Sequence, residues 1–112
     1  MIKLFNKEID ISWVIFPDKY MELKNNKYDF LPWYLVDDED IKFWTKYLFD
    51  TYKRNLFPIA RRDASDDFAC WEKGQGNKIQ IIHTFTDAGW EQREIFDDFE
   101  QWYQWALQYK YN

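Results

Sequence analysis

The stretch Phe68-Ala69-Cys70-Trp71-Glu72-Lys73-Gly74-Gln75-Gly76-Asn77-Lys78-Ile79-Gln80-Ile81-Ile82-His83-Thr84-Phe85 reads as two strands and their turn. Runs 68–73 and 78–85 are rich in apolar and β-branched residues, and the four residues between them have hairpin-loop chemistry. In the second run Ile79, Ile81 and His83 share one face, while Gln80, Ile82 and Thr84 share the other. Both faces carry apolar groups, so this strand is expected inside a sheet that is covered on both sides.

Upstream, Arg61 to Asp67 is a charged connection, and Leu56 to Ala60, interrupted by Pro58, predicts an edge strand. Before it lies the strongest helical signal in the chain, over residues 38–54. Asp37, Asp38, Glu39 and Asp40 place a capping residue and carboxylates where the helix dipole favours negative charge. Ile41, Trp44, Leu48 and Tyr52 then recur at helical spacing, with Phe43 and Tyr47 widening the stripe, and Lys53 and Arg54 close the last turn. Tyr28 to Val36 contains Pro32 and predicts an edge strand or extended approach. Residues 18–27, with Asn25-Asn26, predict a turn or short irregular helix. Residues 2–16 alternate loosely, with Ile9, Ile11 and Trp13 opposite Asp10 and Ser12, which predicts a strand.

Downstream, a helix is predicted over about residues 98–109. Asp97 and Glu100 form an acidic variant of the capping box. Phe99, Trp102, Tyr103 and Ala106 make the inner face, with Trp105 and Tyr109 on a flank. No repeat or interdomain linker is evident, so residues 1–112 are expected to form one domain.

Composition agrees with that size. At 112 residues and 46% hydrophobic content, folding hides roughly two-thirds of the extended chain's surface without disulfides or a structural metal. Seven Trp, eight Tyr and ten Phe are more than a core of this size needs, so some rings are expected to face outward. The net charge is −5, opposite in sign to what phosphate contacts require, so direct nucleic-acid binding is not expected. Residues 1–36 are neutral, with five basic and five acidic groups; the remaining ten basic and fifteen acidic groups carry the whole imbalance. A charged partner would therefore be basic and dock on the later elements. The longest apolar run near the start, Trp13 to Phe16, stops at Pro17 and is too short for a signal peptide or membrane span. With a single cysteine, Cys70, the expected setting is the cytoplasm.

Chemistry-bearing motifs are sparse. His83 is the only histidine, so a Ser-His-Asp triad, a Cys-His pair or a two-histidine metal site would all need it. Mid-strand, it reads more simply as a satisfied, half-buried side chain. Cys70 between Ala69 and Trp71 reads as a small core residue. The run Asp63-Ala64-Ser65-Asp66-Asp67 starts like a calcium loop, but Phe68 stands where the turn glycine belongs and Gly74 where the closing glutamate belongs. Phosphate-cradling glycine motifs are absent from strand-to-helix turns. The pairs Asp37-Asp38, Asp66-Asp67 and Asp97-Asp98 could serve a glycosidase, yet two of the three are explained as helix starts. No catalytic residue, metal or cofactor is expected.

From Tyr28 onward, Leu31-Pro32-Trp33-Tyr34-Leu35, a helix, Leu56 to Asp63, Asp66-Asp67-Phe68-Ala69-Cys70-Trp71, Lys78 to His83, Gly89-Trp90-Glu91 and Phe99-Glu100-Gln101-Trp102 stand in an order that resembles the SUKH superfamily of bacterial immunity proteins. That group also includes the fungal Smi/Knr cell-wall regulators. The long N-terminal helix of the group has no counterpart before Tyr28. The resemblance implies an α+β domain with a mainly antiparallel sheet flanked by helices. It also implies an antidote, without catalysis of its own, in a polymorphic toxin or contact-dependent growth inhibition system. The partner so implied is a cognate toxin domain, a basic nuclease held in a one-to-one complex. Carboxylates would steer such a partner and Trp and Tyr would anchor it. Asp37, Asp38, Glu39 and Asp40, the loop Asp63, Asp66 and Asp67, and the segment Trp90, Glu91 and Glu94 are the candidate contacts. A small ligand- or carbohydrate-binding domain with an aromatic platform is the alternative, and an acid/base hydrolase the third reading.

Overall fold

The computed structural model describes residues 10–27 and 30–110. Its elements run α1 (Asp18–Asn26), β1 (Trp33–Leu35), α2 (Asp38–Tyr52), β2 (Leu56–Arg62), β3 (Asp67–Glu72), β4 (Ile79–His83), β5 (Gln92–Phe96) and α3 (Phe99–Leu107). The strands form one antiparallel sheet in chain order, β1-β2-β3-β4-β5. This is an α+β domain, as expected.

The central hairpin forms as its sequence predicts, with Trp71 opposite Ile79, Ala69 opposite Ile81 and Asp67 opposite His83. Opposed residues of an antiparallel pair share a face. Trp33, Phe57, Ala60, Arg62, Trp71, Ile81 and His83 therefore lie on one face, and Arg61, Phe68, Cys70, Gln80 and Ile82 on the other. The first face carries α1 and α3: Trp71 meets Tyr20 of α1 at 5.4 Å, and Trp33 meets Trp102 of α3 at 5.5 Å between ring centroids. The second carries α2, whose Trp44 lies 4.9 Å from Phe68. A sheet between two helical layers explains why Ile79 to Ile82 are buried on both sides. Cys70 is fully buried in this core, and burial pushes its thiol well above the ordinary range, making it a packing residue.

Several expectations are corrected. β2 is an interior strand, although Leu56 to Ala60 predicts an edge. Its register breaks between Pro58 and Ala60, so the irregularity absorbs proline's missing donor. The strand predicted over residues 2–16 falls partly outside the described residues; residues 10–17 are an irregular segment in which the Val14 N–H donates to Ile11 O at 2.9 Å. Of the turn or short irregular helix expected over residues 18–27, the structure has the helix, and a regular one over Asp18–Asn26, because Tyr20 and Leu23 bury one side of it. Within 28–36, the described strand is the short edge β1.

The start of α2 lies where expected, but the Asp37 side chain makes no capping bond. At α3 the cap is one residue later than predicted. The Asp98 carboxylate accepts from the Gln101 N–H at 2.8 Å, and Gln101 Oε1 accepts from the Asp97 N–H at 2.8 Å. Gln101, rather than Glu100, thus reaches back over the helix start, though to the residue before the cap and not to the cap's own N–H. The inner face of α3, Phe99, Trp102, Tyr103 and Ala106, is buried as predicted.

Candidate functional site

Two turns at one end of the hairpin carry the most exposed aromatic and acidic groups together. β4 ends at His83, two residues short of the predicted Phe85, because Phe85 adopts a left-handed backbone (φ +59°) that no strand tolerates. Its ring is 63% exposed. Such a conformation costs a bulky residue roughly 1–2 kcal/mol, so the surrounding loop must hold it.

The loop 84–91 is held at several points. The Thr84 N–H and hydroxyl both donate to Asp66 O at 2.8 Å, tying the loop to the acidic turn 63–66. The Tyr52 hydroxyl at the end of α2 donates to Thr86 O at 3.0 Å. At the far end Glu91 is buried, its Oε1 accepting from the Gly89 N–H at 2.7 Å and its Oε2 from Arg54 Nη1 at 3.0 Å.

Arg54 is the hub of that anchorage. Its Nε and Nη2 grip both oxygens of Glu72 at 2.9 Å, and Nη2 also reaches Gln80 at 3.0 Å and Gln92 at 2.8 Å. Gln80 in turn donates to Glu72 at 2.7 Å. Hydrogen bonding to Arg54 holds the Glu72 carboxyl below its usual range. For Glu91 burial acts upward, but backbone donors and the guanidinium outweigh it and the net shift is down. Arg54 is itself shifted up, chiefly by its hydrogen bonds to Glu72. The cluster locks β5 and the loop onto β3 and β4 from the α2 side of the sheet.

With the loop fixed, Phe85 lies 5.7 Å from Tyr47, which lies 5.6 Å from Trp44, which lies 5.0 Å from Phe43, itself 62% exposed. These rings make a continuous strip along the outer flank of α2. The Arg61 guanidinium lies against it, 4.6 Å from the Trp44 ring and 4.9 Å from that of Phe68, which itself touches Trp44. Asp40, three and four residues before Phe43 and Trp44, shares the strip's side of the helix. Trp90, at the other end of the loop, is 71% exposed.

The predicted contact residues divide accordingly. Asp63 and Asp66 are exposed on the turn bonded to the loop, and Asp37, Asp38, Glu39 and Asp40 are exposed at the start of α2, where Asp38 pairs with Lys24 at 2.9 Å. Trp90 is exposed as expected. Glu91 is corrected: it is a buried anchor, because Arg54, which the sequence places in the last turn of α2, has left the helix to meet it. Asp67 is half-buried and accepts from His83 Nδ1 at 2.8 Å, so His83 is the satisfied, half-buried residue expected. Glu94 is exposed on β5, away from the loop's anchor. Phe85, Tyr47 and Phe43 enter the site without having been predicted for it. Their only signal is the surplus of aromatic residues.

No known relative emerges. A scan against protein-family models and searches of the curated proteins and of the solved structures found no match to this chain. Among the described residues no group of three or more His, Cys, Asp or Glu side chains is placed to hold a metal ion, and no helix is long and apolar enough to cross a membrane. The arrangement is suited to binding a partner. It offers large rigid rings, carboxylates beside them and a backbone fixed before any partner arrives, which lowers the entropy cost of association.

Proposed function

We propose that this chain is a cytoplasmic immunity protein of the SUKH type that neutralises one cognate toxin domain, a basic nuclease of a contact-dependent inhibition or polymorphic toxin system, by covering its substrate-binding surface in a one-to-one complex. The reading rests on one observation above the others: a non-glycine aromatic, Phe85, is held exposed in a left-handed conformation by a loop anchored at both ends. Strain retained at an exposed ring is understandable where the ring is an anchor for a partner. The net charge of −5 and the exposed Asp40, Asp63, Asp66 and Asp87 near the strip and loop suit a basic partner. Long-range attraction speeds encounter and like-charged proteins are rejected.

The decisive experiment is to read the gene immediately upstream for a C-terminal toxin domain, which the proposal expects there, and to co-express that domain with this chain. Growth is expected to be rescued and a one-to-one, salt-sensitive complex recovered. Charge reversal at Asp40, Asp63 and Asp66 together with Phe85→Ala is expected to abolish rescue while leaving the fold intact. Unrescued growth with the unmutated chain, or undiminished affinity in the combined variant, overturns the reading.

A further inference from the structure

The opposite face of the sheet carries a second constellation, which holds Asp67 and Glu94 of the expected contacts but lies apart from Phe85 and the aromatic strip of α2. Past Trp105 of α3, a cleft of about 220 Å³ opens across the sheet, and every strand contributes a residue to it. Trp33 of β1 and Ile81 of β4 are almost fully buried and form an apolar floor. One wall is aromatic: Trp105 is fixed against Trp33 at 6.0 Å and Phe96 at 5.0 Å, and Tyr109 follows it at 5.2 Å with its ring half exposed.

The remaining wall is polar. Arg62 of β2, Asp67 of β3 and Glu94 of β5 line it. Asp67 is held in place by His83 at 2.8 Å. Arg62 and Glu94 make no side-chain hydrogen bond or ion pair among the described residues, so a guanidinium with five donors and a carboxylate with four acceptor sites face the cleft without protein partners.

The balance of these groups selects the ligand. A phosphate ester would meet two carboxylates, and a cation would meet Arg62, so neither charge sign is favoured strongly. Hydroxyl groups, which both donate and accept, match a wall that offers planar donors beside planar acceptors. The C–H face of a sugar ring matches an aromatic wall. The volume lies below the roughly 300–1,000 Å³ of sites for larger small molecules, which limits the occupant to one ring. We propose that this cleft binds a single pyranose ring of a neutral saccharide, packed on Trp105 and Tyr109 and hydrogen-bonded by Arg62, Asp67 and Glu94.

The test is a titration of the isotope-labelled full chain with glucose, galactose, N-acetylglucosamine and cellotetraose, reading the Trp105 indole N–H resonance by NMR, with free arginine and inorganic phosphate as competing probes. At least one sugar is expected to shift that resonance saturably, with a dissociation constant of about 1 mM. Arg62→Ala and Glu94→Gln are each expected to weaken it about tenfold or more, and Trp90→Ala to leave it unchanged. Tyr109→Ala, which removes an exposed ring and spares the core, is expected to weaken it as well. No saturable response to any of these sugars overturns the proposal. So does a response that survives Arg62→Ala, Glu94→Gln and Tyr109→Ala undiminished, or one produced by arginine or phosphate instead.

Discussion

Two arginines, Arg54 and Arg62, serve the two faces of the same sheet, and their surroundings are opposites. Arg54 is 18% exposed and its donors reach Glu72, Glu91, Gln80 and Gln92. Arg62 is exposed at the end of β2 and makes no such contact among the described residues. A saturated guanidinium on one face fixes the loop and the last strand; an unsaturated one on the other borders a cleft with an aromatic wall. The same residue type is structural where its partners are already in place and available for recognition where they are not.

The largest effect therefore belongs to Arg54. Arg54→Ala leaves Glu72 and Glu91 mostly buried without a cation, and a loss of about 3–5 kcal/mol in unfolding free energy is expected, measurable by urea denaturation. Arg54→Lys is expected to recover only part of this, because an ammonium cannot grip both Glu72 oxygens while reaching the other partners. Should Arg54→Ala unfold at the same urea concentration as the parent, the contrast with Arg62 fails.

The pH dependence follows from the same cluster. Both Glu72 and Glu91 are shifted down on folding, so the unfolded chain binds more protons than the folded one in the acid range. Their stabilisation is fully present above the unfolded carboxylate value of about 4.3 and is lost as pH falls through the folded values. Thermal melts between neutral pH and pH of about 3 should show a steep decline that Glu72→Gln makes shallower. An unchanged slope in Glu72→Gln would place the acid sensitivity elsewhere.

Neither the hub nor the cleft was legible in the sequence, although much of the fold was. The hairpin of β3 and β4, the inner face of α3 and the body of α2 follow from periodicity, because each buries one stripe or both faces of a regular element. β5 does not. Gln92, Arg93, Glu94 and Ile95 alternate neither in hydropathy nor in burial, since an edge strand held by side-chain bonds to Arg54 needs no apolar face. Arg54 itself carries the signature of a helix end, and only the three-dimensional approach of Glu72 and Glu91 reveals its other role. For the contact surface, the acidic turn could be read from composition, whereas the choice of Phe85 among ten Phe depends on a backbone angle that no local pattern encodes.

Phe85 depends on the same anchorage, because it sits on the loop that Arg54 holds. Replacing it with a residue that tolerates the left-handed region removes strain at the cost of one exposed ring contact with Tyr47. Phe85→Asn is expected to leave stability unchanged or raise it by up to about 1 kcal/mol, while weakening binding to the proposed toxin partner. The pairing of a stability gain with a loss of binding would mark the ring as kept for recognition. A loss of 2 kcal/mol or more, roughly the range for a buried aromatic, would instead make it a packing residue and remove the main support for the contact surface.

The smallest effect on stability is expected at Arg62. An exposed side chain without partners contributes within about 0.5 kcal/mol, so Arg62→Ala should melt with the parent protein across the whole pH range. Arg62 also lies two residues from Ala60 on a strand paired on both sides, so the substitution leaves the backbone ladder intact and any change must come from the side chain. If Arg62→Ala destabilises the fold as Arg54→Ala does, its guanidinium has a structural partner after all and the two faces are alike. If it does not, Arg62 is exposed to water and free of structural duty, and a silent melt together with an altered sugar titration is the sharpest distinction between the two arginines.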